Sequence, residues 1–391
     1  MSSNDRAPGP IRILADRLYD GVNQTLQSQI VLEIVSGHFS ALRPATAQDA
    51  HDATLIQHDL VAPGFIDLQI NGAADTQFNF DPTPEAVARI ARGARDGGTA
   101  GLLPTFITAP GHDYRQAIEA VRTAMAEGVP GILGVHLEGP FLSSDRAGIH
   151  DPGSIRTIDT DDIDRLIAAE AGTILLTVAP EELPEGALAR LAGAGLRVFA
   201  GHTAATADHI TQAEADGLVG VTHLFNAMSQ LTGREPGVVG AVFASDRLFA
   251  GIIADGYHVD WRNVATAVRL MPERVCLVTD AMMTLAGTTT SFELNERPIE
   301  LRDGRLTDTT GRLAGAHVSL IESLRNVLEH TGIDLPEALR LLTRNPADAL
   351  GLSDGTGTVV RGGPATLTCL TRDLDVGEVI IDGKRFNRRR R

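Results

Sequence analysis

Between residues 65 and 281 the chain repeats one pattern: a short continuous apolar run, then a stretch with apolar positions at helical spacing. Eight runs stand out: FIDLQI (65–70), TAGLLPTF (99–106), ILGVHLEG (132–139), TILLTVAP (173–180), RVFAGHT (197–203), VGVTHLF (219–225), FAGIIAD (249–255) and VCLVTDA (275–281). Apolar runs without polar alternation fit strands covered on both faces. Helical stretches such as TPEAVARIARGARDGG and TADHITQAEADGL lie between them. The class is therefore α/β, and eight strand–helix units predict a (β/α)8 TIM-like barrel. A doubly wound open sheet is the alternative, but no G-x-G-x-x-G turn follows an early strand.

The two ends of the chain read differently. IRILADRLYDG and QIVLEIVSGHF are strand-like, with turn signals at Asp20-Gly21 and Ser36-Gly37, and ATLTCLTRDLDVGEVIIDGKRF has the same character. Residues 1–62 with 355–391 are expected to form one small β-sandwich domain around a barrel of residues 63–354.

Composition narrows the function. Hydrophobic residues make up 43% and aromatics 4% of the 391 residues, so the core is built from small and branched side chains. The formal net charge of −16 disfavours nucleic acid and anionic membrane surfaces as partners. An anionic substrate would need positive charge supplied locally. Arg388 to Arg391 form one basic block, read as a solvated tail. Cys276, in an apolar run, reads as a buried strand residue; with Cys369 it makes no disulfide framework, which fits a reducing cytoplasm. The polar start MSSNDRAPGP lacks a signal-peptide core, and no segment is long and apolar enough to span a membrane.

Many of the apolar runs end in polar residues that a core would not choose: Gln69 and Asn71, His136 and Glu138, His202, His223, Asp255 and Asp280. In a barrel these ends converge on the face where active sites are built. A lone strand-end histidine is usually structural, and Asp280 alone could cap a helix. Together, one carboxylate and two imidazoles with a second carboxylate opposite are the ligand chemistry of a catalytic divalent metal. Glu138, His202 and His223 are the expected ligands, and Asp280 the proton-transfer group.

The stretches APGFIDLQING, HLEGPF, GIHDP, AGHT, THLFNAM, GREPG, IIADGYHVD, LVTDA and RNPADALG carry a resemblance. In this order and over nearly the whole chain, they resemble the N-acetylglucosamine-6-phosphate deacetylase family of the amidohydrolase superfamily. The resemblance implies metal ligation by Glu138, His202 and His223 and acid–base catalysis by Asp280. It places Ile149 and His150 of GIHDP against the substrate, His150 near the acetyl group. Asn226 and Ala227 of THLFNAM become substrate contacts, as do Asp255 of ADGYHVD and the loop Leu313, Ala314, Gly315. Arg234 and His258 match phosphate-end contacts, one of which can cross a dimer interface, so a homodimer is implied. The implied cofactor is one divalent ion per subunit, zinc by donor set, with iron, manganese or cobalt compatible. The implied substrate is a small amino-sugar phosphate.

Three departures matter. Gln69-Ile70-Asn71 stands where many amidohydrolases carry His-x-His for a second metal, which favours a single ion. Ala204 follows AGHT where Asp or Asn is common, and Ala316-His317 follows LAG where Ser or Thr is usual. Histidines 38, 51, 58, 112, 209 and 330 are expected in turns or on helical surfaces. Competing readings are an N-acetylgalactosamine 6-phosphate deacetylase, an amidohydrolase of cyclic amides or N-acyl amino acids, and a non-catalytic homologue. Since all four proposed metal-site residues are present, the last is disfavoured.

Overall fold

The computed structural model describes residues 10–49 and 52–387; the first nine residues, His51 and the Arg388–Arg391 run lie outside them. The eight apolar runs form eight parallel strands: Phe65–Ile70, Thr99–Ile107, Gly134–Glu138, Thr173–Val178, Arg197–Ala200, Gly220–Val221, Phe249–Ile253 and Val275–Val278. Their order in space is their order in sequence. A parallel bridge between Ile70 and Ala281 brings the first and eighth strands together, which makes the sheet a barrel and not an open doubly wound one. The sixth strand has two residues where the sequence suggested seven, because the chain turns out of the strand before His223.

The expected helices form for local reasons. Pro84–Arg95 starts at Thr83, whose hydroxyl accepts from the Ala86 N–H at 3.2 Å. It buries Val87, Ile90, Ala91 and Ala94 against the barrel. Ala207–Ala215 opens with a reciprocal cap between Thr206 and His209. Among the described residues no helix is long and apolar enough to cross a membrane.

Both chain ends enter one seven-stranded sheet. Its order is Lys384–Asn387, Val376–Ile381, Leu367–Leu370, Ile56–Pro63, Ile11–Leu18, Gln27–Val35 and His38–Pro44. Ile13, Leu32, Phe39, Val61, Leu367 and Ile380 share its apolar core. This sheet meets the barrel where barrel strands begin: the Phe65 N–H donates to the Thr368 hydroxyl at 3.1 Å, which donates to Gly98 O at 2.8 Å.

A second sheet went unread in the sequence. After the eighth barrel strand the chain makes four antiparallel strands, Ser291–Leu294, Arg297–Arg302, Arg305–Asp308 and Leu313–Ala316, before returning to helix. Leu294, Ile299, Leu306 and Ala314 pack with Ile107, Ile149 and Met282, so this sheet caps the ends where barrel strands finish.

Candidate active site

Glu138 is the last residue of the third strand, while His202, His223 and Asp280 each lie two residues past the end of theirs. At those three residues the backbone leaves the strand in the left-handed region, with φ of 47°, 33° and 48°. A non-glycine residue there costs on the order of 1–3 kcal/mol. The surrounding bonds hold it: the Asp280 N–H donates to Gln69 O at 2.9 Å, and Asp280 O accepts from the Ala316 N–H at 2.9 Å.

Glu138 Oε1 lies 2.9 Å from His223 Nε2 and 3.2 Å from His202 Nε2, and the two imidazole nitrogens are 3.1 Å apart. His202 Nδ1 faces Arg146 O at 2.9 Å, so Nδ1 carries the proton and Nε2 presents its lone pair. Two imidazole nitrogens and a carboxylate oxygen this close, all buried, fit a divalent ion bound through N and O. Buried His223 Nδ1 has no hydrogen-bond partner. Despite burial, the His202 and His223 imidazoles beside it hold the Glu138 carboxyl well below its ordinary value. Against the same burial, Glu138 holds the His223 imidazole above its own. The Glu138 carboxyl at its centre is thus kept ionised, as a cation ligand must be.

Neutral amides fill the flank where a second metal would need ligands. Gln69 Nε2 donates to both Glu138 oxygens and to Asp280 Oδ1, each at 3.2 Å. Asn71 Nδ2 donates to Asp280 Oδ1 at 2.6 Å. Burial and the Glu138 charge push the Asp280 carboxyl up to about 6.

His150 stacks at a tilt over His202, with ring centroids 4.2 Å apart. Burial, and then the neighbouring His202, keep its imidazole neutral by holding its pKa well below the ordinary value. Its Nδ1 lies 2.9 Å from the Thr108 hydroxyl, and Nε2 points toward Glu138 Oε2 at 4.0 Å. The Thr108 hydroxyl has two acceptors in reach, Glu138 O at 3.3 Å and the closer His150 Nδ1; with its proton on the closer one, His150 Nε2 carries a proton and faces the pocket.

Asn71, Glu138, His150, His202, His223 and Asp280 share a pocket of about 360 Å³. Ile149, Asn226, Ala227, His258, Leu313 and Gly315 line it as well. Ala314 is fully buried in the cap, and Asp255 stands behind His258, accepting from its Nδ1 at 2.7 Å. Arg234 is exposed and is not among the lining residues. His136 is buried, bonded to Thr105 (3.1 Å) and Thr177 (2.8 Å), and held neutral by burial at about 4. His58 sits on a strand and pairs with Glu378 at 3.2 Å, and His38 opens a strand, so neither matches the turn or helix setting expected. At Ala204 the backbone N–H, not a side chain, meets Glu181 at 2.6 Å. His317 bonds Thr284 at 2.9 Å. A cavity of about 410 Å³ between the barrel and the terminal sheet carries none of these groups. Sequence reasoning missed Thr108 and Arg312; Thr108 ends a TFIT run, and Arg312 directly precedes Leu313.

Residues 60–386 match the model of the amidohydrolase family. An N-acetylglucosamine-6-phosphate deacetylase from Haemophilus influenzae is 34% identical over 84% of this chain and 87% of its own. An N-acetylgalactosamine-6-phosphate deacetylase from Shewanella sp. is 35% identical over 90% and 89%. The crystal structure of N-acetylglucosamine-6-phosphate deacetylase from Pasteurella multocida superposes with a TM-score of 0.91 at 32% identity, covering 97% of this chain and 100% of that one. A Mycobacterium smegmatis variant in complex with N-acetyl-D-glucosamine-6-phosphate gives 0.88 at 31% identity, covering 96% and 99%. The chain belongs to the amidohydrolase family, within the branch that contains the N-acetylglucosamine- and N-acetylgalactosamine-6-phosphate deacetylases.

Proposed function

We propose that this protein hydrolyses the acetamide of N-acetyl-D-glucosamine 6-phosphate to acetate and D-glucosamine 6-phosphate. The observation that carries the reading is the convergence of Glu138, His202 and His223 with Asp280 and His150 in one pocket. Glu138, His202 and His223 would hold one divalent ion per subunit, zinc by donor set, with Gln69 closing the second position. Such an ion supplies Lewis acidity, which acidifies water and polarises the acetamide carbonyl.

The chain's own groups do the rest. Asp280 Oδ2 is free of the amide bonds that occupy Oδ1, and it takes a proton from the attacking water. The water oxygen bonds the acyl carbon. His150, donating from Nε2, meets the charge that develops on the carbonyl oxygen. The C–N bond then breaks as Asp280 returns its proton to the departing nitrogen, which leaves as a neutral amine. Ile149, Asn226, Ala227 and the loop Leu313–Gly315 shape the sugar site, and His258, braced by Asp255, turns to the phosphate. Arg234, exposed and outside this pocket, fits a contact reaching a partner subunit's phosphate in a homodimer.

Relatives named for the galactosamine substrate favour a second reading, the 4-epimer. The test is acetate release from both 6-phosphates by metal-loaded protein. The expected outcome is a higher kcat/KM for the glucosamine derivative; a preference for the other epimer reverses the assignment, and no acetate from either rejects it.

A further inference from the structure

The barrel closes on a seam with little backbone pairing. Its first and eighth strands stand at the two ends of the sheet order, and among the described residues one backbone bridge, Ile70 to Ala281, joins them. Toward the start of the strands both bond a third segment instead: the Ile66 N–H donates to Leu342 O at 2.8 Å, and the Leu277 N–H to Leu341 O at 3.0 Å. Between these levels the carboxyl of Asp67, fully buried two residues before Gln69, spans the gap. We propose that Asp67 is a positioning residue, which acts through Thr279 to hold Asp280 in the left-handed turn from which it moves protons. This rests on the acid–base role given to Asp280 above.

Three observations support it. First, the carboxyl grips both sides of the seam. Oδ2 accepts from the Thr279 hydroxyl at 2.6 Å, and Oδ1 accepts from the N–H groups of Thr279 and Gln69 at 3.2 Å each. It stands in for a ladder carbonyl that the seam lacks. Second, its partners bracket Asp280. Thr279 is the residue before it, and the Thr279 hydroxyl also accepts from the N–H of Ala281, the residue after it, at 3.2 Å. Gln69 bonds Asp280 twice: its carbonyl oxygen accepts from the Asp280 N–H at 2.9 Å, and its side-chain amide donates to Oδ1 at 3.2 Å. A left-handed non-glycine residue such as Asp280 keeps its geometry only where its surroundings over-determine it. Third, the grip does not depend on one protonation state. Burial pushes the Asp67 carboxyl up to about 7. Ionised, it accepts from Thr279; protonated, it donates to the Thr279 oxygen, whose own proton turns to Gln69 O at 3.2 Å. The two strands stay linked either way.

The rival role is structural, with the pair merely closing the barrel. The two separate on how turnover and folding respond. Native, Thr279→Val, Thr279→Ser, Asp67→Ala and Asp67→Asn proteins, metal-loaded, are assayed for acetate release from N-acetylglucosamine 6-phosphate. Thr279→Val and Asp67→Ala should lower kcat about 10- to 100-fold with KM little moved, the scale on which a slightly misplaced reacting group loses rate. Thr279→Ser keeps the hydroxyl, and Asp67→Asn reproduces the bonds of the protonated acid, so both should recover most of the loss. Joining Thr279→Val to Asp67→Ala should add little, because one link carries the effect. An unchanged kcat in Thr279→Val, equal losses in the conservative variants, or a multiplied loss in the double variant overturns the proposal. If Asp67→Ala does not fold, the Thr279 variants decide. Hydrogen exchange keeps the proposal distinct from the reaction itself. Residues 279–282 should exchange faster in Thr279→Val than in native protein, with the terminal sheet unchanged. Equal exchange there, or a rise shared by the whole chain, overturns it. If native protein releases no acetate the proposed reaction falls, and faster local exchange still supports the hold on Asp280.

Discussion

The two ends of the barrel are built by opposite rules. Where the strands begin, the terminal sheet supplies a core of Ile13, Leu32, Phe39, Val61 and Leu367; its non-glycine left-handed residues are Ser36, Leu374 and Asp382 in turns and Gln29 on the strand Gln27–Val35, all away from the catalytic pocket. Where the strands finish, His202, His223, Phe225, Ala227 and Asp280 are all left-handed and none is glycine. There the interior carries carboxylates, imidazoles and amides among aliphatic side chains such as Ile107 and Ile253. One end lowers the free energy of folding through buried apolar area. The other raises it, through backbone strain and buried polarity, and in return holds reactive groups in place. Stability and chemistry should therefore respond to different substitutions.

The largest effect that would break this division is at Asp280. Asp280→Asn should lower kcat by about 10³-fold, within the range for acid–base groups, while metal content is kept. Its folded pKa is raised, so the ionised form weakens the fold, and that stability is lost as pH rises from the ordinary carboxylate range through about 6. The variant's melting temperature at neutral pH should thus equal or exceed the native one; a clear fall would show the site also holds the fold together. The same carboxylate must be ionised to act as base, so kcat/KM should decline on acidification. The decline should set in below pH 6 in metal-loaded protein, where the Glu138 charge that raises Asp280 is compensated.

Next in size is the opposite end. Leu32→Ala, at a fully buried position, should cost about 2–5 kcal/mol in denaturant unfolding, with kcat unchanged in the protein that remains folded. A fall in kcat would tie the ends together. The smallest effect sharpens the comparison inside the site. Thr108→Val removes the hydroxyl that orients His150 and should lower kcat about tenfold with KM little moved, while Thr108→Ser recovers most of it. Equal losses in both variants would mean that packing, and not the hydroxyl, matters at Thr108.

Much of this arrangement is legible in the sequence, because a buried parallel strand is a continuous apolar run and a polar residue at its end needs a reason. That logic located all eight barrel strands and the residues Glu138, His202, His223 and Asp280. It overestimated the sixth strand, since a left-handed turn at His223 leaves no mark on hydropathy. The capping sheet escaped because its strands are short, alternate between buried and exposed residues, and follow eight units that already complete a barrel. Thr108 escaped for a simpler reason: a hydroxyl is informative only once its partner is known.

The terminal sheet has a consequence during synthesis. Pro63 pairs with Leu367, so the strand Ile56–Pro63 waits for a neighbour made roughly 300 residues later. At about 5–20 residues per second, that leaves a β edge open on the ribosome for on the order of 15–60 s. An open edge invites pairing with other chains. Nascent copies on one message are therefore most vulnerable to one another in this interval, and the hairpin Leu367–Ile381 ends it by closing the edge.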